Sequence, residues 1–203
     1  MTDYKQITES DGEILVKTAR KVVTEYLTTH KKLKLDDNIQ TAYSYESGVF
    51  VTINDPSGLR GCIGNLLPDK KLFNALTDAA ISAATEDPRF PPVKLSEIDK
   101  IIFEVSVLTP PIEIQVEDPL DYPKKIKVGK DGLIIKAGFN SGLLLPQVPI
   151  EYGWTEEQFL SHTCEKAGLS RDFWKNKEAQ VLKFEGIVFK EETPNGKVVE
   201  VKL

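Results

Sequence analysis

Leu59-Arg60-Gly61-Cys62-Ile63-Gly64 follows directly on a turn-forming run, Asp55-Pro56-Ser57-Gly58, and sets an arginine and a cysteine two residues apart, each followed by glycine. In an extended segment side chains alternate between faces, so Arg60 and Cys62 are expected to point one way and Leu59 and Ile63 the other. A guanidinium beside a thiol favours the thiolate and lowers its pKa, and Gly61 and Gly64 let a backbone or a ligand approach closely. The same residues also fit a packed segment, because free cysteine is among the most buried residue types and a glycine in a strand often marks only a bulge.

Outward from this segment the pattern alternates between strand and helix. Upstream, residues 41–46 and 49–54 are rich in tyrosine, phenylalanine and β-branched types and predict two strands about a Glu46-Ser47-Gly48 turn. Before them, residues 31–40 read as a polar connection. Ser10-Asp11-Gly12-Glu13 fits a capping box that opens an amphipathic helix running to about Thr29. Downstream, Leu72, Phe73, Leu76, Ala79, Ala80, Ala83 and Ala84 predict a helix over 69–85, with small residues in its second half for close packing on a sheet. Glu86-Asp87-Pro88-Arg89-Phe90-Pro91-Pro92 stops it, since three prolines fix φ and remove donors.

Residues 101–108 then alternate as a strand, with Glu104 and Ser106 on the face opposite Phe103, Val105 and Val107. A hairpin is expected about 129–132. Thr155-Glu156-Glu157-Gln158 is a second capping box, opening a helix that ends at Gly168 and buries Cys164. Two closing strands, 181–189 and 198–203, flank a Pro194-Asn195-Gly196 turn.

Composition limits the function classes. The chain has 203 residues, a net charge of -5 and two cysteines, Cys62 and Cys164. An acidic chain repels polyanions, so general nucleic-acid binding is disfavoured. Without a CxxC or a Cys/His cluster, metal ligation by thiolates is not expected. Residues 1–5 show no leader pattern and no run approaches 18 apolar residues, so a cytoplasmic protein rather than a membrane one is expected. Nucleotide-binding glycine loops, GxSxG and HExxH are missing from the sequence. His30 falls at a helix end and His162 on a polar helix side, neither an evident partner for a cysteine nucleophile.

What chemistry the residues offer combines Cys62 as nucleophile, Arg60 as anion clamp and Glu104 as general base. The stiff segment 85–92, with Thr85 and Arg89, reads either as a ligand-binding lip or as a helix-terminating loop. Gln147, between Pro146 and Pro149 in an apolar run, adds a polar contact of the same kind. Only Arg20, Arg60, Arg89 and Arg171 occur, and two of the four lie in the two most unusual segments.

The hexapeptide at 59–64 resembles the signature of the AMMECR domain family. The resemblance continues in order through Ala83-Ala84-Thr85-Glu86-Asp87-Pro88-Arg89-Phe90-Pro91-Pro92-Val93, Glu104-Val105-Ser106-Val107-Leu108, Gly142 to Pro149 with Trp154, and Phe159 to Trp174, and so covers nearly the whole chain. It implies an α+β fold, a mixed or antiparallel sheet with flanking helices, and a single domain over 1–203 of two interleaved subdomains, larger and smaller, with a cleft near the signature. It implies no reaction and no cofactor, so the activity is expected to be uncharacterised. Family members stand beside, or are fused to, Memo-type and radical-SAM-type proteins, which makes these the implied partners; an iron-sulfur centre would belong to the partner. Two function classes stay open on these grounds. One is a small-molecule enzyme or catalytic subunit using Cys62 and Glu104, with Arg60, Gly61, Gly64, Thr85, Arg89, Ser106 and Gln147 in binding roles; the other is a protein-binding adaptor without catalysis.

Overall fold

The computed structural model describes residues 7–66 and 69–201. The reading of residues 1–5 and the last two residues of the closing strand lie outside them. The chain divides into two compact units, one formed by the described residues up to Leu108 and again from Ile187, the other by Thr109 to Gly186.

In the first unit, helix α1 (Glu9–Thr29) is capped by Thr8 and Asp11, which exchange side-chain and backbone hydrogen bonds. The capping box thus begins two residues before the expected Ser10, because Thr8 keeps extended backbone angles while Ser10 is already helical. A short helix, α2 (Asp37–Ala42), takes up the end of the expected connection and the start of the expected first strand. Residues 41 and 42 close it, so the first strand is β1 (Gly48–Asp55), and its hairpin partner is β2 (Gly58–Asn65), joined through Pro56 and Ser57. Ser57 donates its N–H and its hydroxyl to Asp55 Oδ1, an Asx-type turn that holds the hairpin closed.

Helix α3 (Leu72–Thr85) and strand β3 (Ile102–Leu108) follow as the periodicity predicts. β1 is central, paired antiparallel to β2 on one side and β3 on the other, and β3 neighbours β7 (Gln180–Glu191), which pairs with β8 (Val198–Val201). Asn195 sits in the left-handed region at φ 56°, where the expected turn is found. One sheet face carries Val49, Val51, Ile53, Phe103, Val105 and Val107, all buried against α1 and α3. Burying these branched side chains, at about 1.5–3 kcal/mol each, is the main source of this unit's stability. The other face holds Phe50, Thr52, Cys62, Glu104 and Ser106.

In the second unit, β5 (Asp131–Ala137) and β6 (Asn140–Leu144) form a hairpin about Gly138, and β5 also pairs with the first half of β7. The hairpin expected at 129–132 lies one element later: residues 126–128 are not a strand, and Lys127 donates its N–H to the buried Asp131 carboxylate at 2.8 Å. A two-residue strand, β4 (Ile112–Glu113), pairs with β7 as well. Gln147 opens the short helix α4 (Gln147–Glu151). Helix α5 (Glu156–Lys166) starts at the expected Thr155–Gln158 box, and Gly168 follows it with φ 73°. Cys164 is fully buried with Phe159, Leu160, Trp174 and Leu133. With these strands paired antiparallel and helices laid against them, the fold is α+β.

Candidate functional site

The β1–β2 register decides where the signature residues go. Ile53 pairs with Gly61 and Asn54 with Leu59, so Arg60 is an extra residue, a β-bulge. A bulge cancels the two-residue alternation, and Arg60 and Cys62 part company. Arg60 Nε and Nη2 donate to Glu97, at 3.1 and 3.3 Å, while Nη1 and Nη2 donate to the carbonyls of Pro91 and Pro92 at 2.6 and 3.2 Å. Its side chain is only 11% exposed, and it ties β2 to the proline segment.

The cation beside Cys62 is Arg89 instead. Asp87, whose side chain is 2% exposed, accepts from the Cys62 N–H at 2.8 Å and from Arg89 Nε and Nη2 at 2.9 and 2.7 Å. Arg89 Nη2 also donates to the Cys62 carbonyl at 3.3 Å. The Arg89 guanidinium and the Cys62 N–H together hold the Asp87 carboxyl well below the usual carboxylate range. Arg89 Nη1 makes no hydrogen bond among the described residues, and the side chain is half exposed, so this fixed cation keeps donors for a guest.

Antiparallel partners on neighbouring strands share a face, so Cys62, Thr52 and Glu104 form one cross-strand row, and Gly64, Phe50 and Ser106 form the next. Thr52 donates its hydroxyl to Cys62 Sγ at 3.2 Å. Glu104 is half-buried and makes no hydrogen bond or ion pair among the described residues. Burial raises its pKa, and Lys190 opposes this only in part. Burial likewise raises the Cys62 thiol, against the lowering expected from an adjacent arginine; Thr52 and Arg89 pull the other way but do not win. With strands about 4.8 Å apart, thiol and carboxylate rise from backbones about 10 Å apart, with Thr52 between them.

The structure therefore brings together Cys62, Glu104, Gly64, Ser106 and Arg89 from the expected set. Gly61 faces α3, where an added Cβ would lie 2.1 Å from the Ala83 carbonyl oxygen, and so serves packing. Thr85 ends α3 with its hydroxyl donated to Ile81. Gln147 belongs to the second unit. Sequence reading missed Thr52 and Asp87. Asp87 had a signal in hindsight, an aspartate followed two residues later by arginine inside a rigid proline loop; Thr52 had none beyond its place in a strand.

A half-buried thiol and a half-buried carboxylate on the sheet face opposite α1 and α3 define an α+β protein with one polar row built across three strands. Comparison with known proteins gives the family. The AMMECR1 family model matches residues 16–189, and the chain belongs to the AMMECR1 family. A protein of Methanothermobacter thermautotrophicus is 50% identical over 93% of this chain and 98% of its own length, and one of Pyrococcus abyssi is 50% identical over 95% and 96%. The crystal structure of uncharacterized protein PH0010 from Pyrococcus horikoshii superposes with a TM-score of 0.88 at 48% identity, covering 97% of this chain and 99% of that one. None of these names carries an activity, in keeping with the uncharacterised function expected from the resemblance.

Proposed function

We propose that the chain is an enzyme, or a catalytic subunit, whose sheet face takes a small carbonyl-containing anion across the row Cys62, Thr52 and Glu104. The observation that carries this is Glu104, a half-buried carboxylate with raised pKa and no hydrogen bond or ion pair among the described residues, on the same row as a half-buried thiol. Structural carboxylates are paired; one left unpaired on a row with a nucleophile fits a proton acceptor poised nearer neutrality. In the step this supports, Cys62 Sγ bonds to the carbonyl carbon, the C=O π pair moves onto oxygen, and the thiol proton passes to Glu104 by way of Thr52 or a water. Arg89 supplies positive charge to the substrate's anionic group.

Thiol modification tests it. In the folded protein Cys62, half-buried, is expected to react with iodoacetamide faster than Cys164, which is wholly buried. Glu104→Gln, which removes the acceptor for the thiol proton, should slow Cys62; acceleration would mean that the carboxylate acts on the thiol only through its charge. Reaction of neither cysteine before denaturation, or no response to Glu104→Gln, would remove the thiol from the mechanism.

Stability provides an independent check. The folded pKa of Glu104 lies above its unfolded value of about 4.3. The stability it contributes is therefore full below that value and is lost as pH rises through the folded pKa. Glu104→Gln should accordingly stabilise the protein at pH 7, by denaturant unfolding, with the gain vanishing at acid pH. A destabilised variant at pH 7 would mean that the carboxylate is structural.

An adaptor role is the second reading, favoured by Leu59 and Leu95, which are 41% and 46% exposed and flank the two ends of the Arg60–Glu97 bridge. On this reading the face meets Memo-type or radical-SAM-type proteins in the cytoplasm. Among the described residues no helix is long and apolar enough to cross a membrane.

A further inference from the structure

A second site candidate lies beside α3. Residues 31–35, Lys31-Lys32-Leu33-Lys34-Leu35, lead from α1 to α2, and the alternation has a consequence: Leu35 is buried and Leu33 packs on the core, while Lys32 and Lys34 line a groove of about 470 Å³ against α3. Lys70, from the segment before α3, lines it too. Phe73 and Leu33 give it an apolar wall, with Asn74 and Thr77 beside them. This volume suits a ligand of metabolite size.

Its charge is unusual for the molecule. The whole chain is acidic at -5, yet three lysines line this groove against one carboxylate, Asp78. Asp78 accepts from Lys32 Nζ and from Lys70 Nζ, both at 2.8 Å, one on each of its oxygens. Two ammonium groups from separate segments are thereby drawn to one place. Each uses one of its three N–H donors on Asp78 and keeps two, and Lys34 has no ion pair among the described residues. Lys70 and Asp78 also line a smaller groove of about 140 Å³ that reaches Ile63 and Gly64 on β2.

We propose that this groove binds a small organic phosphate, its phosphates on Lys32, Lys34 and Lys70 and its apolar body against Phe73 and Leu33. Phosphate fits because its several oxygens accept from convergent point-charge donors without needing a planar fork. The site stands apart from the thiol row and does not depend on it.

Calorimetric titration of the full chain at low ionic strength with pyrophosphate, ADP and adenosine tests this. ADP should bind more tightly than pyrophosphate, adenosine least, and added salt should weaken both anions. Lys32→Ala with Lys70→Ala should weaken ADP by at least about tenfold, while the melting temperature hardly moves, since these ion pairs are exposed. Asp78→Asn, which removes the competing carboxylate, should tighten it. Failure of ADP and pyrophosphate to bind, or binding that ignores the lysine pair, overturns the proposal; equal affinity of pyrophosphate and ADP overturns the part assigned to Phe73.

Discussion

Replacing Glu191 by alanine is expected to lower stability by about 3–5 kcal/mol, which for a chain of this size lowers the melting temperature by roughly 10 °C. Glu191 ends β7 with its side chain 1% exposed, and it accepts from Arg20 Nε at 2.7 Å, from Arg20 Nη2 and from the Phe103 N–H at 2.9 Å. Arg20 in turn donates to the carbonyls of Ile98 and Ile101 at 2.8 and 2.6 Å, and lies over the Phe103 ring. The network joins α1, β3, β7 and the segment before β3. Alanine at 191 would leave a guanidinium buried without its counter-charge and an amide of β3 without an acceptor. Arg20→Met with Glu191→Leu removes both charges together and should cost much less than the sum of the single alanine variants. Urea unfolding reads all of these. A loss below about 1 kcal/mol for Glu191→Ala would show that Arg20 swings to solvent and that the pair contributes little.

Gly61→Ala is the second large effect, expected at about 2–4 kcal/mol, at or beyond the upper end of ordinary overpacking. The added methyl would lie 2.1 Å from the Ala83 carbonyl oxygen, an atom of helix backbone that cannot rotate away. Either α3 lifts from β2 or the strand bends, and the first choice disturbs Ala79, Ala80, Ala83 and Ala84 together. The φ of Gly61 is not positive, so the penalty is steric rather than conformational. Gly138 is the contrast: nothing lies within 4 Å of its added Cβ, but its φ is 57°, and alanine there should cost only about 1–2 kcal/mol. Similar losses at the two positions would refute the close approach of α3.

Helix α5, with a complete capping box and a terminal glycine, was legible almost residue by residue, and so were α3 and β3, whose periods are unbroken. The misplacements share a cause. Residues 41–46 have strand-like composition, yet 41 and 42 close helix α2, because Ile39 within it and Leu35 just before it pack on the core, a tertiary effect that overrides local preference. The 129–132 turn looked like a hairpin because glycines flank it, while pairing actually begins at Asp131, whose carboxylate binds back to Lys127. At the site, alternation correctly put Glu104 and Ser106 on one face and Gly64 is in register with them. It failed for Arg60 because a single-residue bulge is invisible to a two-residue period. The partnership of Asp87 with Cys62 joins residues 25 positions apart and lies beyond any local pattern.

The Asp87 contact has a consequence for assembly. β2 is the last strand in its sheet, and at its middle the Cys62 N–H and carbonyl are occupied by Asp87 and Arg89 rather than by a neighbouring strand. The two side chains imitate the bonding of a missing ladder rung. A border strand with glycines at 58, 61 and 64, bent only at the Arg60 bulge, would otherwise offer open backbone groups with which a second polypeptide could pair. Closing its centre with an ion pair blocks that pairing while leaving the thiol's own face of the sheet uncovered by the repair.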